Sequence, residues 1–273
     1  MTTTLPASIA AAPPVRKGNA VRDAATLTRR NLLRLFRTPQ LAVFSTIQPV
    51  MFVLLFVYVF GGALKPALRA QGFPYSYPSY LIPGIIVQTV LFGGASTAVG
   101  LSEDFSKGIV DRFRSLPMAR SAVLMGRTLS DLVRNMFVVA LMLVVGSLVG
   151  FRFHNGFAPA VGAVILSLVF GFAFSWIFAL VGLAVGEPET AQVAGFLPTF
   201  PLVFASSVFT PVSTMPGWLQ AFAKHQPVTV TVNAIRNLTQ GGPVASYTWQ
   251  ALAWCLGILV VFVPLAVRMY RKG

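Results

Sequence analysis

Few side chains in this 273-residue chain are equipped for bond-making chemistry. The histidines are His154 and His225, and the single cysteine is Cys255. One cysteine cannot form an intrachain disulfide, and with two histidines it does not make a zinc-type ligand set. A serine protease working inside a membrane needs a serine and a histidine at one depth. Ser96 sits in an apolar stretch after Gly94 and Ala95, but both histidines fall in polar breaks. A lipid-modifying transferase needs paired acids or a histidine at one membrane face. The breaks that hold the histidines contain no acid. No G-x-x-x-x-G-K-[ST] phosphate loop occurs, so any energy from ATP has to come through another polypeptide. The remaining charged patterns suit docking and electrostatics. Arg127, Asp131 and Arg134 stand at i, i+4 and i+7 on one helical face, where they can pair and snorkel at a membrane edge. The densest charged stretch is SEDFSKGIVDRFRSLPMAR, residues 102–120.

The elements that position these groups are membrane spans. Charged residues make up 10% of the chain and hydrophobic ones 55%, and the mean hydropathy is +0.74. That excludes a disordered chain and leaves too few charges to cover a soluble enzyme. The net charge of +14 suits anionic lipid headgroups, and the hydropathy argues against nucleic acid as the basic partner. Six windows carry no Asp, Glu, Lys or Arg: residues 38–64, 70–102, 135–151, 153–186, 190–223 and 237–267. A helical crossing needs about 20 apolar residues, so each window holds one span. Spans are expected near 41–62, 79–100, 129–150, 158–183, 191–210 and 247–267. Of the 21 Lys and Arg, sixteen fall on one side of that topology and five on the other. The positive-inside bias puts the sixteen, all seven acids and both termini in the cytoplasm.

Residues 1–21 read as a flexible tail and 22–273 as one membrane domain. No inverted repeat is evident. From Arg22 to Arg37 the pattern is amphipathic, with Ala25, Thr28, Leu32, Leu35 and Phe36 on one side and Arg30, Arg34 and Arg37 on the other. That suits an interfacial helix on lipid phosphates, or a basic flank that only sets topology. In the 102–120 stretch Ser102 is expected to cap a helix whose first turn holds Glu103 and Asp104. Gly108 permits a bend, and Leu116–Pro117 ends the helix. A rigid charged helix of this kind gives a soluble partner its register; the same residues also read as a solvated loop. Window 190–223 contains Pro198, Pro201, Pro211 and Pro216, which kink a helix. Carbonyls freed there need local donors, for which Thr199, Ser206 and Ser207 are candidates. Thr214, Pro216, Trp218, Leu219 and Phe222 fit a short amphipathic helix dipping into the outer leaflet, or an outer loop anchored by Trp218. Candidate polar residues within spans are Gln48, Gln88, Gln192, Ser96 and Thr97, for a pathway or for hydrogen bonds between helices. Gly182 and Gly186 permit close helix contact, and Phe73, Tyr75, Tyr77 and Tyr80 suit an outer aromatic belt.

The string KGIVDRFRSLP followed by MARSAVLMGR resembles the cytoplasmic signature of ABC-2 type export permeases, in wording close to the daunorubicin-resistance branch. Residues 195–236 resemble the same family at Phe209, Pro211, Met215, Pro216, Trp218, Leu219, Pro227, Ala234 and Arg236, with Gln226 where Asn is common. The resemblance implies an all-α integral membrane protein. It has six transmembrane helices, an N-terminal interfacial helix, a cytoplasmic coupling helix and a re-entrant helical hairpin before the last span. It implies a half-transporter in a bacterial cell membrane, exporting amphipathic or lipid-like cargo. Two ATPase subunits holding ATP and magnesium would join two permease chains, identical or related, while this chain holds no cofactor or metal and performs no catalysis. The ATPase would be coupled through Glu103, Asp104, Lys107, Gly108, Asp111, Arg112 and Arg114. Phe209, Pro211, Met215, Pro216, Trp218 and Leu219 would form the outer gate. Gln48, Gln88 and Ser206 are pathway candidates. Two other classes compete: a membrane scaffold without transport, and an ion-coupled carrier, which the absence of any charged side chain deep in the expected spans disfavours.

Overall fold

The computed structural model describes residues 25–31, 33, 39–108 and 120–272. The 1–21 tail and Arg34, Arg37, Asp111, Arg112 and Arg114 lie outside the described residues. The regular elements among the described residues are all helices, joined by turns and short loops, with no strand among them.

Helix α1 runs over Pro39–Leu54 and continues as a π-helical turn, Leu55–Val59. Gly61–Ala70 forms α2, bent by 65° from α1. The π turn and the Gly61–Gly62 pair supply the bend. Helix α3, Tyr77–Ser106, carries Pro78 in its first turn, where a missing N–H costs nothing. Helix α4 spans Arg120–Val149 and α5 spans Phe157–Val185. Helix α5 stops at Gly186, whose φ of +71° closes the cap onto the Gly182 carbonyl. Helix α6, Pro188–Phe204, is followed by two short helices, α7 (Gly217–His225) and α8 (Pro227–Gln240), and by α9, Val244–Lys272.

Among the described residues four helices, α3, α4, α5 and α9, are long and apolar enough to cross a bilayer, and the α1–α2 pair, taken as one broken span, makes five. The remaining expected span, 191–210, is shorter than its charge-free window. Helix α6 has 17 residues, about 25 Å, and the chain leaves the helix at Ala205.

Helix α3 is the hub. It meets α5 where side chains are absent: a Cβ on Gly182 would lie 2.9 Å from the Ala98 Cα, and Gly94 faces the Phe178 ring. Small residues at such points let helix backbones approach in a membrane. Gly182 is thus occupied within the chain. Large apolar residues on the outward faces are exposed, among them Leu148, Phe157, Leu197, Trp249 and Leu256. Those faces suit lipid, and the molecule is a multi-pass membrane protein.

Candidate functional site

The Arg127–Asp131–Arg134 face forms as its spacing requires, but it turns inward onto α3 and does not snorkel. Arg134 Nη2 lies 3.5 Å from Asp131 Oδ1, and Arg127 Nε lies 4.0 Å from Asp131 Oδ2. Thr97 donates its hydroxyl to Asp131, and Arg134 donates to the Ser96 hydroxyl and the Gly93 carbonyl. Arg127 Nη2 donates to the Ser96 carbonyl at 2.9 Å. Gly93 and Gly100 admit the guanidinium groups, because a Cβ at either position would collide with them. Asp131 is 5% exposed. Pairing inside low dielectric is strong, and so is the penalty for a charge left without its partner.

This cluster forms part of the wall of a cavity of about 550 Å³ between α1, α3, α4 and α6. Gln88 and Ser96 line it from α3, Gln48 from α1, and Gln192 from the start of α6. Phe52, Phe92 and Phe196 form an apolar part of the wall, and Glu103 and Arg127 a charged part. Ser206 is not in the lining: its hydroxyl donates to the Val203 carbonyl at the frayed end of α6. Thr199 bonds the Gly195 carbonyl at 2.7 Å, also within α6.

The residues expected to open a separate helix at Ser102 instead finish α3. Ser102 donates to the Val99 carbonyl, one turn earlier, so it is not an N-cap. Glu103 and Asp104 therefore sit in a last helical turn, where the macrodipole disfavours acids. Lys107 Nζ compensates by pairing with Glu103 at 3.2 Å. Gly108, at φ +65°, takes the left-handed position that ends the helix. Lys107 is exposed and Glu103 half-buried, while Asp104 faces inward at 4% exposure. Residues 25–31 are helical, with Arg30 exposed. This segment docks on α4 through buried Leu27, with Thr28 donating to the Gly126 carbonyl at 3.3 Å. Ala25, expected on the inner side, is exposed.

At the other end of α3 the expected amphipathic segment is a pair of helices. Pro211 precedes a 3-10 turn, Val212–Thr214, and Pro216 is the N-cap of α7. Met215 is half-buried and its carbonyl accepts from Gln220 Nε2 at 2.8 Å. Trp218 is 77% exposed, and Leu219 is half-buried. Phe209 is buried and stacks on Phe56 with ring centroids 4.4 Å apart. Helix α8 is almost wholly buried.

Two residues prove more important than their motif positions suggested. Gln226 Nε2 donates to the carbonyls of Leu202 (2.8 Å) and Ala205 (3.0 Å), while its Oε1 caps Val228 N. It ties the end of α6 to the start of α8. Arg236 is buried over the Tyr80 ring, 3.6 Å from its centroid, and donates to the carbonyls of Tyr80 and Ser207 and to Asn233 Oδ1. Tyr80 is therefore a core residue, not part of an aromatic belt. Tyr75 stacks on His154, which in turn bonds Gln240 at 2.8 Å. A loop charge and a buried arginine look alike in sequence.

The arrangement supplies charge, hydrogen-bond donors and a cavity, which suits binding and movement. The family model for the ABC-2 type transporter matches residues 22–239. The chain is 35% identical over 261 residues to the daunorubicin resistance ABC transporter permease protein DrrB1 of Streptomyces coeruleorubidus, covering 94% of this chain and 89% of that protein. It is 30% identical to the probable doxorubicin resistance ABC transporter permease protein DrrC of Mycobacterium tuberculosis, covering 90% of this chain and 87% of that one. A putative transport permease, ycf38, of Cyanophora paradoxa is 26% identical, over 80% of this chain and 74% of its own length. A match of this extent, on a helical bundle with lipid-facing apolar surfaces, makes the chain a member of the ABC-2 type transporter family.

Proposed function

We propose that this chain is the permease subunit of an ATP-driven exporter, moving hydrophobic or amphipathic cargo, a drug or an envelope lipid, out of the cytoplasm or the inner leaflet. The observation that carries this reading is the cavity whose charged wall shares Glu103 with the end of α3, so that a partner gripping that end would act directly on the cavity. Two ATPase subunits, holding ATP and magnesium, would supply the work, and a second permease chain, a copy or a relative, would complete the path. The chain itself would perform no catalysis and hold no cofactor. The contact would involve Glu103 and Lys107, which are accessible, with Gly108, Asp111, Arg112 and Arg114 following. Asp104, being buried, would act by holding that turn in place. Helix α6 with residues 205–211 would complete a sixth span, and α7 with α8 would form the re-entrant hairpin closing the outer end. Both termini would face the cytoplasm of a bacterial cell, with Arg30, Arg34 and Arg37 at the inner interface. Closure of the ATPase pair would then tilt the bundle between two states. The drug-resistance names of the relatives support an amphipathic cargo.

Purification from native membranes tests this. The chain should bring down an ATPase with a phosphate loop, and hydrolysis in the reconstituted complex should rise with cargo. A chain that carries solute alone, driven by an ion gradient, would overturn the reading in favour of a secondary carrier. A complex with no ATPase would favour a scaffold.

A further inference from the structure

We infer that the cavity between α1, α3, α4 and α6 binds an anionic amphiphile, its phosphate or carboxylate head held at Arg127 and Arg134 and its apolar body lying along Phe52, Phe92 and Phe196. The cavity follows α3 from Ile85 to Glu103, a rise of about 27 Å. It is divided by polarity. The guanidinium groups span the level from Gly93 to Gly100, where they bond the Gly93 carbonyl and the Ser96 carbonyl and hydroxyl. The phenyl rings of Phe92 and Phe196, 5.5 Å apart, lie on the Ile85 side of that level. An elongated site with one charged end and one apolar end fits an amphiphile, and its volume of about 550 Å³ lies in the range of small-molecule sites.

The sign of the head group follows from charge and donors. Two arginines share one carboxylate, Asp131, so the buried cluster retains a positive charge. Both Asp131 oxygens are engaged, one by Arg134 and the other by Thr97. Glu103 is paired with Lys107. A cationic head would find those carboxylates already neutralised. Arg127 Nε faces Asp131 Oδ2 at 4.0 Å and Nη2 is taken by the Ser96 carbonyl, which leaves Nη1, on a side chain that lines the cavity, as the donor for an oxyacid oxygen.

The inference deepens the export reading and rests on it for the ligand's being cargo. Photolabelling of the full chain in phosphatidylcholine nanodiscs, with an alkyl phosphate carrying a diazirine in its chain, tests it without ATP or partner. Its failure therefore refutes the head-group assignment and leaves the ATPase co-purification test standing. Label should appear in peptides holding Phe52, Phe92 or Phe196 and be competed by dodecyl phosphate. Arg127→Gln should cut labelling at these peptides at least tenfold, while Arg127→Lys should keep most of it. Val99→Phe, which fills the lining without removing a charge, should also cut it tenfold and serves if Arg127→Gln does not fold. Equal competition by inorganic phosphate would show a free-anion site and overturn the amphiphile. Equal competition by dodecyltrimethylammonium, or labelling unchanged in Arg127→Gln and Val99→Phe, would overturn the anionic site.

Discussion

Replacing Arg236 with methionine removes a buried polar junction of four hydrogen bonds while keeping the length of the side chain. The guanidinium makes four hydrogen bonds: Nε and Nη2 to the Tyr80 carbonyl at 3.2 and 3.0 Å, Nη2 to the Ser207 carbonyl at 2.9 Å, and Nη1 to Asn233 Oδ1 at 3.0 Å. It also lies 3.6 Å from the Tyr80 ring centroid. Each bond from a charged donor contributes about 1.5–3 kcal/mol, and the ring contact about 1–2 kcal/mol when desolvated. Against this stands the desolvation of the guanidinium, several kcal/mol. The acceptors left behind are neutral, so the loss is that of buried oxygens short of a donor, about 1–3 kcal/mol each, partly offset by the desolvation no longer incurred, for a net cost on the order of 3 kcal/mol. For a domain of this size that lowers the melting temperature by on the order of 10 °C. The measurement is a thermal melt of the purified chain in one detergent, alongside limited proteolysis of the 205–216 segment, which Arg236 pins to the start of α3. Arg236→Lys should lose less, because it keeps the charge but not the planar fork. Tyr80→Phe, which removes the hydroxyl bond to the Ser207 carbonyl and keeps the ring under Arg236, should cost about 1 kcal/mol. An Arg236→Met chain that melts within 2 °C of the parent would refute the assignment of Arg236 as the clasp.

Gly84→Val should destabilise by about 1–3 kcal/mol because its Cβ would run into the Val208 backbone, whereas Gly62, with open space around it, should accept alanine without loss in the same melt. Gln226→Leu should cost about 2–3 kcal/mol, as two carbonyls of the α6 end and one cap are left unbonded; unchanged proteolysis of 205–216 would count against it. Asp131→Asn should lower the melting temperature sharply by leaving two guanidinium groups unopposed, and adding Arg134→Gln should restore part of the loss, a coupling that a double-mutant cycle reads directly. In a Cys255→Ala background, a cysteine at Lys65 should be labelled from outside the cell and one at Gly273 from inside; the reverse would invert the topology.

How far the fold was legible differs by element. Helices α3, α5 and α9 lie within a few residues of their expected spans, because a charge-free run of that length has one stable arrangement in lipid. Helix α2 was hidden, since Gly61, Gly62, Lys65 and Pro66 suppress its apolar signal, and it forms against buried Leu68. The early end of α6 was hidden as well. Its carbonyls are satisfied by Gln226, more than 20 residues later, and no local pattern announces such a donor. At the site, the i, i+4, i+7 spacing gave the ion-paired face of α4 but not its direction. A pair of this kind is equally stable at a membrane edge or against Gly93 and Gly100, and only the packing of α3 on α4 selects the second.

Composition and spacing alone determined that this chain lives in lipid and is helical, and its motif wording placed it in its family, because those properties are sums over short stretches. The cavity, the inward turn of Arg127 and Arg134, the burial of Arg236 beneath Tyr80 and the sealing of α6 by Gln226 were decided by tertiary structure. Each joins residues from about 20 to more than 150 positions apart, and a buried charge is defined by the partners that surround it, not by its own place in the chain.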